Sequence, residues 1–126
     1  MSVAYVDTSA LVAIAFGEAG ADELARRLSS FSRLVSSNLL EAELCAACAR
    51  EGRPVPREML SRIAWILTDR PLSAEIRAIL KAGYLRGSDL WHVATALYAA
   101  PTPGAIAFIT LNEKQAEVAA ALNFKS

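Results

Sequence analysis

Residues 3–16 read VAYVDTSALVAIAF. Four apolar residues rich in strand formers, Val3 to Val6, lead to Asp7, and a second apolar run follows from Ala10 to Phe16. The first run has the length and composition of a buried strand. The second is apolar nearly all round, as in a buried helix. A single carboxylate therefore stands where strand hands over to helix. An aspartate there can cap the helix, which is worth about 1 kcal/mol. It can also stand there because a site needs it, and the rest of the chain has to decide between the two.

Working outward, strand and helix patterns alternate. Residues 21–31 form an amphipathic helix, with Leu24, Leu28 and Phe31 on one face and Arg26 and Arg27 outside. Residues 33–36 read as a second strand and 38–51 as a long helix, stopped by Gly52 and Pro54. Pro56 opens a further helix carrying Met59, Leu60, Ile63, Trp65, Ile66 and Leu67. Residues 70–72 suit a short edge strand, because Pro71 is tolerated at an edge. Helices are expected over 74–84 and 89–100, a loop over 101–104, a strand over 105–110 and a last helix over 113–122. Phe124 can begin a short final strand. The near-continuous apolar run of 105–110 is that of a parallel strand buried on both faces. The fold class is α/β: a small parallel sheet of four to five strands flanked on both sides by about seven helices.

The 126 residues are 54% hydrophobic with six Gly and five Pro, which is one domain spanning 1–126, able to bury around two-thirds of its unfolded surface. Thirteen basic and thirteen acidic residues cancel. Any polyanion partner must therefore meet a local basic face or be reached through a metal. Most of the basic residues are Arg, the side chain suited to bidentate phosphate contacts. The apolar start has no basic leader and is interrupted by Asp7, and the run 10–16 is far too short to span a bilayer. The expectation is a soluble, cytoplasmic protein with no membrane partner. Cys45 and Cys48 form a C-x-x-C pair, but mid-helix, where two small apolar residues on one buried face account for them better than a redox dithiol.

In parallel α/β sheets, sites form at the carboxyl ends of the strands. The polar residues that follow the expected strands are Asp7-Thr8-Ser9, then Ser36-Ser37-Asn38 with Glu41 and Glu43, then Thr110-Leu111-Asn112-Glu113; Asp89 opens the helix that feeds the last strand. Oxygen donors dominate, which suits a hard divalent cation such as Mg²⁺ or Mn²⁺. Gathered carboxylates stay ionised only when a cation neutralises them. In phosphodiester hydrolysis such a cation lowers the pKa of a water, and a second, roughly 3.5–4 Å away, steadies the leaving oxygen. Singly, Asp7, Asp89 and Asn112 are also ordinary N-caps, and Glu41 and Glu43 ordinary first-turn acids. Glu43 differs, since Leu39, Leu40, Ala46 and Ala47 surround it at helical spacing, an expensive place for an unpaired charge.

Four segments in order, YVDTSAL (5–11), SSNLLEAEL (36–44), GSDLWHVATAL (87–97) and FITLNEKQAEVA (108–119), resemble the PIN-domain ribonucleases, and most closely the VapC toxins of toxin–antitoxin pairs. The resemblance implies Mg²⁺- or Mn²⁺-dependent endonucleolytic cleavage of RNA, of the tRNA or rRNA class in many relatives. It places the family's acidic residues on Asp7, Glu43 and Asp89, as metal ligands and catalytic residues, and its strand-end hydroxyl on Thr110. Ser9, Thr110 and Asn112 become supporting residues that hold the carboxylates. It also implies a homodimer and a small cognate antitoxin lodged near the acids; the exposed apolar residues this needs fit the helix carrying Met59 to Leu67, for which core packing is an equally good account. The family's fourth acid is absent: its usual positions carry Asn112 and Gln115. That predicts one well-held metal and weaker activity, with Asn112 offering a carbonyl oxygen but no charge. His92 reads as a packing residue or an RNA contact rather than a catalytic base, since a metal-activated water needs none. Arg86 is placed to meet substrate phosphate or simply to be solvated.

Phosphoryl-accepting receiver domains and D-x-D phosphatases also gather acids at strand ends, but Ser9 stands where the second Asp of D-x-D belongs and no Lys follows the last strand at the required place. A PIN fold with a weakened site, acting as a binding or regulatory protein, is the remaining alternative.

Overall fold

A computed structural model describes residues 2–126. Among them four strands, β1 (Val3–Val6), β2 (Arg33–Ser37), β3 (Ile63–Ile66) and β4 (Ala107–Ile109), form one sheet in the order β3-β2-β1-β4. Every pairing is parallel: Tyr5 stands opposite Val35 on one side and Phe108 on the other, and Val35 opposite Ala64. Seven α-helices cover it: α1 (Thr8–Ala15), α2 (Ala21–Ser29), α3 (Leu39–Glu51), α4 (Arg57–Leu60), α5 (Ser73–Ala82), α6 (Gly87–Ala99) and α7 (Glu113–Ala121).

The alternation of β1 explains the two-sided core. Ala4 and Val6 pack with Leu11, Leu28, Leu40 and Leu44 on the α1–α2–α3 side. Tyr5 points the other way, into Ile79, Val93, Phe108 and Val118 from α5, α6, β4 and α7. Its ring stacks on Phe108 with centroids 5.2 Å apart. A strand buried on both faces cannot alternate apolar and polar residues, hence the continuous run at 3–6.

The expected architecture is present, with corrections at three places. The helix opened by Pro56 is a single turn ending at Leu60; Ile63–Ile66, expected within it, is the edge strand β3. Residues 70–72, expected as that strand, lie outside any strand. The run Ile63-Ala64-Trp65-Ile66 fits a helix by spacing but is too short to settle the question, and its branched and aromatic side chains suit a half-buried pleated surface. The helical docking face expected from Met59 to Leu67 therefore does not exist as such. Phe124 starts no strand, although Lys125 makes an isolated parallel bridge to Ala107. Finally, α6 begins at Gly87, so Asp89 lies within its first turn instead of capping it. Cys45 and Cys48 are free thiols on α3, Cys48 fully buried, as the packing account expects.

From β1 the chain crosses to β2 on one side, and β4 is added on the other, so the strand order switches direction at β1. A crevice forms at the carboxyl end of such a switch point. The residue that leaves β1 there is Asp7.

Candidate active site

Asp7 caps α1: its Oδ2 accepts the Ser9 N–H at 3.1 Å. It does more than cap, because it is almost wholly buried and receives three other groups from far along the chain. Gln115 donates to Oδ1 at 3.2 Å, Thr110 Oγ1 lies 3.2 Å from Oδ2, and His92 Nε2 stands 4.0 Å from Oδ1. A helix cap at the surface needs none of these. Ser9 and Thr110 touch each other at 3.2 Å, and Ser9 Oγ also accepts the Leu111 N–H, tying the loop after β4 to the start of α1. Ser9 and Thr110, expected as supporting residues, both lie beside Asp7.

Glu43 comes from α3 and Asp89 from α6, two helices on opposite faces of the sheet. Glu43 Oε1 accepts from Thr8 Oγ1 at 2.8 Å and lies 2.8 Å from His92 Nε2. Glu41, two residues earlier, is exposed and takes the Asn38 amide instead. Asp89 is half-buried, and its carboxyl is held above the usual carboxylate range, first by burial and then by the Asp7 charge, with Glu43 adding to the effect and Arg86 and His92 opposing it. The three acids share one field.

His92 is buried in the site and not on the surface, so it makes no direct contact with a large substrate. Its Nδ1 lies 2.7 Å from the Tyr5 hydroxyl. That hydroxyl accepts the Ser37 N–H at 3.1 Å, and the Glu43 carboxylate on Nε2 can only accept, so the Tyr5 proton points to Nδ1. The proton of the neutral ring is then on Nε2, directed at Glu43. Burial pushes the Tyr5 hydroxyl well above its ordinary value, which keeps it a donor at any physiological pH. A buried chain Tyr5–His92–Glu43 thus runs from the core to the crevice, with Thr8 as a second donor to the same carboxylate.

Asn112 and Gln115 occupy the positions where a fourth acid was sought. Asn112 Oδ1 caps α7 by accepting the Gln115 N–H at 2.9 Å, and its Nδ2 faces Asp89 Oδ2 at 3.4 Å. The expected carbonyl oxygen is therefore committed to the helix, and an amide N–H faces the acid. Gln115 is fully buried and fully used: it donates to Asp7 and to the Asp89 carbonyl and accepts from Thr110 at 2.6 Å. Among the described residues no buried side-chain polar atom lacks a partner. Sequence reasoning missed the roles of Thr8, Tyr5 and Gln115. For Thr8 the signal was its place directly after Asp7; for the other two nothing local distinguishes them from core residues.

As placed, no group of three or more His, Cys, Asp and Glu side chains among the described residues forms a ready-made cation cage. The donor chemistry nevertheless fits a hard cation. Asp7 and Glu43 both face His92 Nε2, and Asp89, whose carboxyl is raised first by burial and then by the charge of Asp7, lies in the same field, which attracts a metal ion. Glu43 uses Oε1 and Asp89 uses Oδ2 for the hydrogen bonds described. Asp7, Glu43 and Asp89 are the residues that would hold such an ion.

Fold and site together define a parallel α/β domain with an acidic centre at its topological switch point. A PIN domain family model matches residues 4–121, nearly the whole chain, and the chain belongs to the PIN-domain family, whose members are generally nucleases. No curated protein and no solved structure matches it. Among the described residues no helix is long and apolar enough to cross a membrane.

Proposed function

We propose that the protein is a Mg²⁺- or Mn²⁺-dependent endoribonuclease that acts as the toxin of a VapBC-type toxin–antitoxin pair in the cytoplasm. The observation that carries the reading is the convergence of Asp7, Glu43 and Asp89 at the crevice beside β1, in a chain of the PIN family. The toxin role, the homodimer and the antitoxin rest on the four sequence motifs and their order.

The bound cation supplies Lewis acidity toward the phosphate and an acidified water. The chain supplies position. Ser9 and Gln115 fix the two oxygens of Asp7, and Thr110 holds the Gln115 amide. Thr8 and His92 fix Glu43. Arg86 brings positive charge beside Asp89, where a phosphodiester would enter. Rigid donors hold the acids in one arrangement, so little reorganisation is left for the reaction itself.

A second reading, a PIN domain with weakened nuclease activity that binds or regulates, is favoured by one feature: the amides of Asn112 and Gln115 face Asp89 and Asp7 where further carboxylates would strengthen metal binding. One assay separates the two. Purified free of any partner, the protein is expected to cleave a structured RNA with Mg²⁺ or Mn²⁺, and EDTA or Asp7→Asn to stop it. Cleavage that survives Asp7→Asn contradicts the nuclease reading, and no cleavage under any divalent cation favours the second.

A further inference from the structure

A cleft of about 190 Å³ adjoins the acidic centre, lined by Tyr84, Leu85, Arg86, Asp89, Asn112 and Lys114. Asp89 and Asn112 belong to both, so the cleft continues the catalytic crevice. Tyr84 is the outlier in it. It is 71% exposed. The loop is anchored on either side of it. Leu85 is buried, and Gly83 lies so close to α7 that a Cβ there would stand 2.8 Å from Val118 Cγ2. The ring is thus displayed from a fixed backbone.

Two cations line the same cleft. Arg86 precedes α6 and Lys114 lies in the first turn of α7, both places where positive charge opposes the helix dipole. Neither is there to stabilise its helix. Arg86 makes no ion pair among the described residues, and Lys114 reaches only Glu117, at 3.9 Å with both side chains mostly exposed. An exposed aromatic face sharing a cleft with two loosely held cations, next to an acidic centre, matches a ligand with a flat π-system and neighbouring phosphates.

We propose that this cleft is a nucleotide subsite: an unpaired base of single-stranded RNA stacks on Tyr84 while its flanking phosphates meet Arg86 and Lys114, which sets the adjoining phosphodiester against Asp89. The inference rests on the RNA-cleaving reading for its position in the reaction, but the binding itself can be measured without catalysis. Stacking of this kind is sequence-tolerant, because every base has a π-face, so the subsite selects unpaired RNA over duplex and not one base over another.

The test is fluorescence anisotropy of a labelled single-stranded RNA hexamer in EDTA, with the intact protein. Tyr84→Ala is expected to weaken binding roughly 5- to 150-fold, the range of one lost base stack. Tyr84→Trp is expected to restore it, which a merely structural role for the hydroxyl would not do. Arg86→Ala and Lys114→Ala should each lower the slope of log affinity against log salt by about 0.7, one phosphate contact on a single strand. A hexamer of abasic sugar-phosphate should be indifferent to Tyr84→Ala but still respond to the two cations. Leu67→Ala, at an exposed position beyond β3, serves as the control and should leave binding unchanged. If Tyr84→Ala leaves the hexamer affinity within twofold, or the wild type does not bind the hexamer at all, the subsite is overturned, whether or not the protein cleaves RNA. If the Tyr84 and cation effects appear but no divalent cation supports cleavage, the subsite stands and the nuclease reading fails.

Discussion

Asn112→Asp puts a charge where the structure holds an amide. In the wild type Asn112 Oδ1 caps α7 and Nδ2 faces Asp89 Oδ2 at 3.4 Å. Aspartate is as good a cap as asparagine, so one oxygen can keep the Gln115 N–H. The other then replaces Nδ2 and meets a carboxylate at a similar distance. Two unit charges 3.4 Å apart repel by about 5 kcal/mol at an effective dielectric of 20 and about 1.2 kcal/mol at that of water. Asp89 is half-buried at the mouth of a cleft, so the true figure lies between these limits. In EDTA the variant should melt below the wild type at pH 8 and regain the difference at pH 4, where a proton bridges the pair. A divalent cation relieves the same repulsion. Since about 1.4 kcal/mol is a factor of ten, the lower limit already predicts a metal midpoint about sevenfold lower. The assay is RNA cleavage against Mn²⁺ concentration, with melting in EDTA alongside. An unchanged metal midpoint would refute the claim that position 112 borders the cation site.

The remaining predictions address the supports. Because the Asp89 carboxyl is raised above its unfolded value, the folded state favours its protonated form, and stability is lost as pH rises through the folded value. In EDTA, Asp89→Asn should therefore melt above the wild type at pH 8 and level with it near pH 4; a variant less stable at pH 8 contradicts the shared acidic field. Gln115→Leu removes two donated hydrogen bonds and one accepted one from a fully buried site and should cost about 2–4 kcal/mol by urea denaturation; a cost below about 1 kcal/mol would mean the amide is not the strut described. Tyr5→Phe strands the Ser37 N–H and His92 Nδ1 and should cost about 1–3 kcal/mol. In the wild type, ¹⁵N NMR of the imidazole should show the Nε2–H tautomer; finding the proton on Nδ1 would reverse the direction of the Tyr5–His92–Glu43 chain.

The strand-to-helix handover at Asp7 was legible because composition alone forces it: a short two-faced apolar run, a capping residue and a buried helix leave few alternatives. The order of α6, β4 and α7 was legible for the same reason. The edge strand β3 was not, since four apolar residues carry no usable period and a neighbouring Pro at residue 71 made the wrong segment look like an edge. At the site, the acids could be placed at strand and helix ends, but their partners could not. The bonds that fix Asp7 join residues about a hundred positions apart, Ser9 to Thr110 and Gln115 to Asp7, and only the closed sheet brings them together. Gln115 shows the limit most clearly. In sequence it is a missing carboxylate; in the fold it is a buried donor on which three chain segments converge.

The central claim is that Asp7, Glu43 and Asp89 together hold a divalent cation. Electron paramagnetic resonance of Mn²⁺ titrated into the protein at pH 7.5 measures that directly, with no RNA present. The account predicts about one bound Mn²⁺ per chain, lost in Asp7→Asn and in Asp89→Asn while both variants remain folded. Mn²⁺ binding unchanged by either substitution, or absent from the wild type at millimolar concentration, would contradict it.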